Sequence, residues 1–369
     1  LVFCGSKNNV KRTAALIADS DLHGDDQSLV EALLRKKIGI HYSGAPQARH
    51  TLDKFEAREI LTLVATSGLS TGVNTPARHV VVRDLVLGFD SELEVSQAQQ
   101  MLGRAGRLGH ETHGYGYILV PKSAETAWRN KLDAGYHVRS GLDDKISDAI
   151  LAEILLSSIT SRDDARIWYR GTFAHAQSNR PHNVDKVIDE LTAHGFTAED
   201  DGRLCATELG ALTARLMIDV EAATNLLSEL ASLPIPASAT RAEEVLLRLI
   251  ATSVPEFVEW PVNPKAYKNW VDSVLGSTGS LSSLGPNFGA RFVAAAAVAA
   301  IRNPKRLHVA NKGMSRAEVA RPVQALPRYL SWIAGIGRIG KSTWEPAVAA
   351  DLAQRLTWYE LNPHPKRGH

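Results

Sequence analysis

Between Leu1 and Pro121 short apolar runs alternate with stretches of helical periodicity, and this alternation constrains the fold more than any other feature of the chain. Strands are predicted at Leu1 to Cys4, Ile38 to Tyr42, Ile60 to Ala65, His79 to Val82 and Gly116 to Val120. Helices are predicted at Lys11 to Ala18, Gln47 to Phe55 and Ser96 to Leu102. Strands separated by helices imply a largely parallel sheet covered on both faces, an α/β domain. After Pro121 the strands fade. Ile146, Ile150, Ile154, Leu155 and Ile159 form one stripe, Val184 to Leu191 a second amphipathic helix, and Phe196 to Thr207 a hairpin turning at Asp201 and Gly202. Helices followed by a small hairpin suggest a winged helix. Beyond Leu209 the pattern is helical, with breaks at Pro234 and Pro236, from Gly276 to Gly289, and at Asn303 and Pro304. The expected organisation is an α/β domain at 1–125, a winged helix at 140–215 and a helical bundle at 216–369.

Composition narrows the function. The 369 residues, 44% of them hydrophobic, can bury a sizeable core and exceed the comfortable size of one domain. Lys plus Arg (42) nearly balance Asp plus Glu (40), which excludes a histone-like or strongly acidic protein, so any nucleic-acid site must be a local patch. Cys4 and Cys205 supply neither a disulfide framework nor a thiolate zinc site, and no His-Glu-x-x-His or comparable spacing occurs. The longest apolar run, Phe292 to Ile301, is shorter than the roughly 18 residues of a membrane span. A soluble, cytoplasmic protein without a bound metal is expected.

Two segments carry chemistry. Leu63 to Pro76 (LVATSGLSTGVNTP) is a strand running into a loop of small residues, whose hydroxyls and backbone N–H groups suit a nucleic-acid phosphate while Asn74 suits a ribose. Gln100 to Arg107 (QMLGRAGR) places two arginines three residues apart, predicted on one helical face, with Gly103 and Gly106 allowing close approach to a ligand. Forked guanidiniums on such a surface suit phosphate oxygens.

Taken with Leu1 to Lys7 (LVFCGSK) and Ile40 to Arg49 (IHYSGAPQAR), these segments resemble motifs IV, IVa, V and VI of superfamily-2 DExH helicases, in that order. The nearest group is the Ski-like one that includes the archaeal repair helicases. The resemblance implies a second RecA-like domain, followed by a winged helix and a helical bundle. It implies that Arg104 and Arg107 reach the γ-phosphate of ATP, that Gln100 couples their motif to the nucleotide, and that Gly72 and Asn74 face nucleotide and ribose. It likewise assigns Thr66, Ser6, Lys7, Gln47 and Arg49 to the nucleic-acid backbone. Leu85 to Val95 takes the place of a hairpin that parts the duplex, with Gly88, Phe89 and Asp90 as its turn.

In such enzymes a first RecA-like domain supplies the P-loop and the Asp-Glu box that hold phosphates and Mg2+. Neither occurs upstream here, so the chain is expected to need that domain, on the same or another polypeptide, and to hydrolyse no ATP alone. Gly335 to Ser342 (GIGRIGKS) matches P-loop spacing, but a P-loop follows a buried strand and requires a later strand, whereas only a helical stretch remains. Leu330, Ile333, Gly335, Ile336 and Gly337 fit two other readings, the phosphate-binding turn of a helix-hairpin-helix near 330–355, assisted by Arg338 and Lys341, or a packed helical turn. The basic stretch Arg302, Lys305, Arg306, Lys312, Arg316, Arg321 and Arg328 fits either phosphate binding or a solvated face. Val184 to Leu191 is a poor groove reader, because Asp185, Asp189 and Glu190 outnumber Lys186 on its exposed side. Trp260, Trp270, Trp332, Trp344 and Trp358 read as core residues, with a base-stacking platform as the other role open to one of them.

The expected function is the C-terminal portion of an ATP-dependent helicase moving 3′ to 5′ on single-stranded or forked DNA, with RNA as the alternative substrate. Two other readings stand beside it: a non-enzymatic binding subunit, and a stand-alone NTPase using Lys341.

Overall fold

A computed structural model describes residues 1–19, 25–70, 75, 77–88, 91–106, 113–302, 316–339 and 344–361. The chain divides into two units, Leu1–Val138 and Arg139–His369.

The first unit runs β1 (Val2–Cys4), α1 (Lys7–Ile17), α2 (Asp26–Arg35), β2 (Ile38–His41), α3 (Ala48–Glu56), β3 (Thr62–Thr66), β4 (His79–Val82), β5 (Val86–Leu87), β6 (Ser91–Glu92), α4 (Val95–Leu102), β7 (Tyr115–Ile118) and α5 (Glu125–Ala134). Its main sheet is parallel, in the order β2-β3-β1-β4-β7. The strand period of two sorts neighbouring residues to opposite faces. Phe3, Leu63, Ala65, Val80 and Val82 pack with Ala98 and Met101 of α4 and Trp128 of α5. Cys4, Ile38, Ile40 and Val64 pack with Val10 and Ala14 of α1 and Leu29, Val30 and Leu33 of α2. The parallel sheet covered on both faces is as expected. Helix α2, started by the Asp25 side chain accepting from the Ser28 N–H at 2.9 Å, lies in a stretch for which no element is predicted.

The second unit opens with α6 (Ile146–Leu155), α7 (Arg162–Arg170), α8 (Phe173–Gln177), α9 (Val184–Ala193), β8 (Thr197–Asp200), β9 (Arg203–Ala206) and α10 (Glu208–Arg215). The β8–β9 turn falls at Asp201 and Gly202, both at positive φ (48° and 77°), the backbone that tight hairpins require. Helices followed by this two-stranded hairpin have the element order expected of a winged helix. The acids of α9 do not face solvent unopposed: Arg162 pairs with Asp189 and Glu199, each at 2.8 Å, and Arg166 with Asp185 at 2.8 Å. The Arg166 guanidinium on Asp185 holds that carboxyl below its usual range. The acidic side of α9 is therefore a structural seam with α7 and the wing, which physical proximity in the chain does not reveal.

The unit continues with α11 (Val220–Leu230), α12 (Ala239–Ser253), α13 (Pro255–Val258), α14 (Pro264–Leu275), α15 (Phe288–Arg302), α16 (Arg316–Ile339) and α17 (Glu345–Leu361). Alanines 294–297 make α15 thin enough to be buried between α12, α14, α16 and α17. Trp270 and Trp332 are core residues as expected, whereas Trp260 and Trp344 are partly exposed and the Trp358 side chain lies outside the described residues. Among the described residues no helix is long and apolar enough to cross a membrane.

The Gly/Ser segment between α14 and α15 is ordered by one buried carboxylate. Glu244, 4% exposed, accepts from the Ser280 N–H (2.8 Å), the Ser280 hydroxyl (2.9 Å) and the Gly279 N–H (3.3 Å), and pairs with Arg302 at 3.2 Å. Burial pushes this carboxyl up, but the Ser280, Gly279 and Arg302 donors outweigh it and hold it below the usual range. A depressed folded-state pKa stabilises above the unfolded value, near 4.3, and that contribution is lost as pH falls through the folded value. Glu244→Gln should therefore cost about 1–3 kcal/mol at pH 7 and much less at pH 3, read from urea midpoints. An equal loss at both pH values would contradict this.

Candidate nucleotide and nucleic-acid edges

Parallel strands place all loops that follow a strand at one edge of the sheet, and the register shows these ends level: Cys4 opposite Thr66, Phe3 opposite Val82, His41 opposite Ala65. Ser6, Lys7, Arg49 and Thr66 all follow or end a strand and so belong to this edge. Ser6 caps α1, its hydroxyl accepting from the Asn9 N–H at 3.2 Å, so the hydroxyl proton remains available to donate. Lys7 begins α1, with Nζ 5.8 Å from the centre of the buried Tyr42 ring. Lys11 lies at 5.7 Å from the same ring and pairs with Asp26 at 2.5 Å, whereas no described carboxylate pairs with Lys7. Burial and then Asp26, which accepts from the Tyr42 hydroxyl at 2.9 Å, raise the Tyr42 pKa and keep the ring neutral beneath the two ammonium groups. Thr66 ends β3 partly exposed, and Arg49, in the first turn of α3, is exposed.

Arg104 sits at the opposite edge. Helix α4 runs back along the sheet and ends at Leu102 with Gly103 as its cap, so Arg104 lies in a turn and not on the helical face predicted for it. The turn is fixed by pairing: Ala77, just before β4, donates to the Arg104 carbonyl and accepts from the Gly106 N–H, both at 2.9 Å. Gly106 has φ +91°, and a side chain on Gly114 would meet the Ala105 backbone at 2.3 Å, so glycine is required at both positions. The Arg104 guanidinium donates to the Ser70 carbonyl, from Nε at 3.1 Å and Nη2 at 2.5 Å. Its partner is thus a neutral carbonyl in the turn that leaves β3, and no described carboxylate pairs with it. Gln100 is exposed on α4. Arg107, Gly72 and Asn74 lie outside the described residues.

The strand-to-helix connection from Leu85 holds the expected hairpin: β5 and β6 pair antiparallel, and Gly88 turns at φ +64°, while Phe89 and Asp90 lie outside the described residues. Sequence reasoning misses Asp84 and Ser70, the first a charged residue at the end of a buried strand and the second a carbonyl without any side-chain signal.

Gly335 and Gly337 are not in a turn between helices. Both lie inside α16, where added side chains would meet Leu212 at 2.5 Å and Pro346 at 2.4 Å, so the glycines serve close packing and their N–H groups belong to a helix interior. The same finding removes the strand that a P-loop needs ahead of it. The Arg338 side chain, and Lys341, lie outside the described residues. Within the basic stretch Arg302 pairs with Glu244 and Arg328 with Glu256, while Arg321 is exposed. Lys305, Arg306, Lys312 and the Arg316 side chain lie outside the described residues.

Residues 1–109 match the helicase conserved C-terminal domain. The parallel sheet of the first unit and the order of its motifs agree with this match. The chain is 32% identical to the ATP-dependent DNA helicase Hel308 of Thermoplasma volcanium over 217 residues, 56% of this chain and 32% of that protein. It is 26% identical to the RQC trigger complex helicase SLH1 of Saccharomyces cerevisiae over 206 residues, 53% of this chain and 10% of that protein. To the ATP-dependent DNA helicase MER3 of the same yeast it is 26% identical over 235 residues, 60% of this chain and 20% of that protein. The chain spans about a third or less of the length of these curated relatives.

Proposed function

We propose that this chain supplies the second RecA-like domain, winged helix and helical bundle of an ATP-dependent helicase acting 3′ to 5′ on single-stranded or forked DNA. ATP is the fuel, and the catalytic Mg2+ belongs to a first RecA-like domain. The observation that carries the reading is the Arg104 guanidinium, presented at one sheet edge against a neutral carbonyl and free of any described carboxylate.

Arg104 and Arg107 stabilise negative charge on the transferring phosphoryl group, with Gln100, Gly72 and Asn74 at the nucleotide. Ser6, Lys7, Arg49 and Thr66 grip the tracked strand at the other edge. Ser70 links the two, because the turn that bonds Arg104 begins at the residue after Thr66. A change in where Arg104 points is thereby felt at the end of β3. The preference for DNA over RNA rests on the Hel308 and MER3 likeness, and RNA is the outcome that a substrate comparison would detect.

Lys341→Ala separates this reading from a stand-alone NTPase. In a motor assembled from this chain and a first RecA-like domain, Lys341→Ala should leave ATP turnover within about twofold, since a P-loop lysine acts only on a strand-borne phosphate loop. Loss of turnover through Lys341 alone would defeat the proposal. Turnover indifferent to both Lys341→Ala and Arg107→Ala would favour a pure binding subunit.

A further inference from the structure

We propose that Asp84 is a positioning residue that locks the base of the β5–β6 hairpin to the loop carrying Ser6 and Lys7, so that nucleic-acid contact and strand separation move as one piece. This rests on the helicase reading above and adds to it a residue and a coupling.

Asp84 follows β4 directly, and its side chain is only 16% exposed. One carboxylate oxygen accepts from the Gly5 N–H at 2.7 Å and the Asn9 side-chain amide at 2.8 Å, and the other accepts from Arg83 at 2.5 Å. Gly5 precedes the α1 cap and Asn9 lies in the first turn of α1. One carboxylate therefore spans both sides of the loop that holds Ser6 and Lys7. Three donors on a mostly buried carboxylate make a charge-assisted, geometrically specific joint.

The backbone repeats the connection. The Arg83 N–H donates to the Phe3 carbonyl at 2.9 Å, and the Gly88 N–H donates to the Gly5 carbonyl at 2.8 Å. Gly88 is the turn residue of the hairpin, so the hairpin is tied at both its root and its tip-side strand to the loop after β1. The approach is close enough that a side chain on Gly5 would sit 1.9 Å from the Val86 carbonyl, which no backbone adjustment confined to one residue accommodates. Leu93, returning from β6, closes the root by donating to the Leu85 carbonyl at 2.8 Å. A swing of the hairpin about its root breaks the Gly88–Gly5 bond, and the Asp84 joint keeps that bond in place by fixing Gly5.

The consequence is a division of labour. Loss of the joint leaves Arg104 and its edge untouched, so ATP hydrolysis persists, while the hairpin is no longer held against the loop that grips the strand. A displacement of about 1 Å at such a site is able to cost about 10²-fold in the step it serves.

The test uses Asp84→Ala, the milder Asp84→Asn, and Gly5→Ala. In this chain itself, Asp84→Ala should speed hydrogen exchange of the Gly88 amide at least about tenfold with β1 and β3 unchanged, reporting local opening. This arm is independent of any helicase activity. In the motor assembled with a first RecA-like domain, Asp84→Ala should lower forked-duplex separation at least about tenfold and leave single-strand-stimulated kcat for ATP within about twofold. Asp84→Asn, which keeps one acceptor, should restore part of the separation rate, and Gly5→Ala should reproduce the Asp84→Ala split by displacing Val86. Unchanged Gly88 exchange, or duplex separation at the parental rate in Asp84→Ala, would overturn the proposal. So would a parallel fall of hydrolysis, separation and melting temperature, which marks a purely structural role. A parent assembly that hydrolyses no ATP would instead defeat the helicase reading, while Gly88 exchange would still decide the joint.

Discussion

Arg104→Ala and Arg107→Ala, each in a motor assembled from this chain and a first RecA-like domain, should lower kcat for ATP hydrolysis about 10³-fold or more. That corresponds to about 4 kcal/mol of lost transition-state stabilisation. For Arg104 the argument is geometric. Its fork bonds a neutral carbonyl, and no described carboxylate neutralises it, so the full positive charge is available to a developing phosphoryl charge. Removing it deletes both bonds to the Ser70 carbonyl and leaves the turn held by the Ala77 pairing, so the melting temperature should change little. Arg104→Lys should recover only a fraction of turnover, because an ammonium cannot bond the Ser70 carbonyl and a phosphate oxygen with the same planar fork. Steady-state phosphate release at saturating ATP measures all three variants. Near-parental kcat in both alanine variants would favour a binding subunit over a motor.

Trp332→Ala should destabilise the second unit by about 3–5 kcal/mol. Trp332 is fully buried, and its Nε1 donates to the Thr213 hydroxyl at 2.9 Å, joining α16 to α10. Truncation leaves a cavity among side chains that already sit in a close-packed core, and it strips the buried Thr213 hydroxyl of a donor. Trp332→Phe should lose less, since it keeps most of the ring volume. The midpoint of urea unfolding followed by far-ultraviolet circular dichroism tests both. A shift of less than 1 kcal/mol in Trp332→Ala, on the scale set by buried aromatic truncations, would show that the α10–α16 contact is not part of the cooperative core.

The sheet is legible because its strands are local signals, short apolar runs such as Val80 to Val82 that stop at the polar Arg83. Helix α2 carries a signal too, the Asp25 cap ahead of Leu29, Val30 and Leu33, yet it is passed over when the chain is read directly from α1 to β2. Other features have no local signature. An apolar-Gly-apolar-Gly string reads equally as an exposed turn or as a thin helix surface, and only Leu212 and Pro346, both outside the string, decide for the second. The acids of α9 look repulsive to phosphate until Arg162 and Arg166 arrive from α7. Arg104 is identifiable from its motif, but that it leaves the helix and bonds Ser70 depends on Gly103, Gly106 and the Ala77 pairing acting together. Asp84 is invisible for the same reason: its partners, Gly5 and Asn9, are brought to it by the parallel sheet.

The proposed motor depends on arginines that this chain presents to a triphosphate held by another domain. Mixing this chain with a first RecA-like domain that carries a P-loop and an Asp-Glu box, and following phosphate release with and without single-stranded DNA, tests this dependence. Silence is expected from either component alone and DNA-stimulated hydrolysis from the mixture. Hydrolysis by this chain alone, or a mixture that stays silent while both components bind each other, would contradict that dependence.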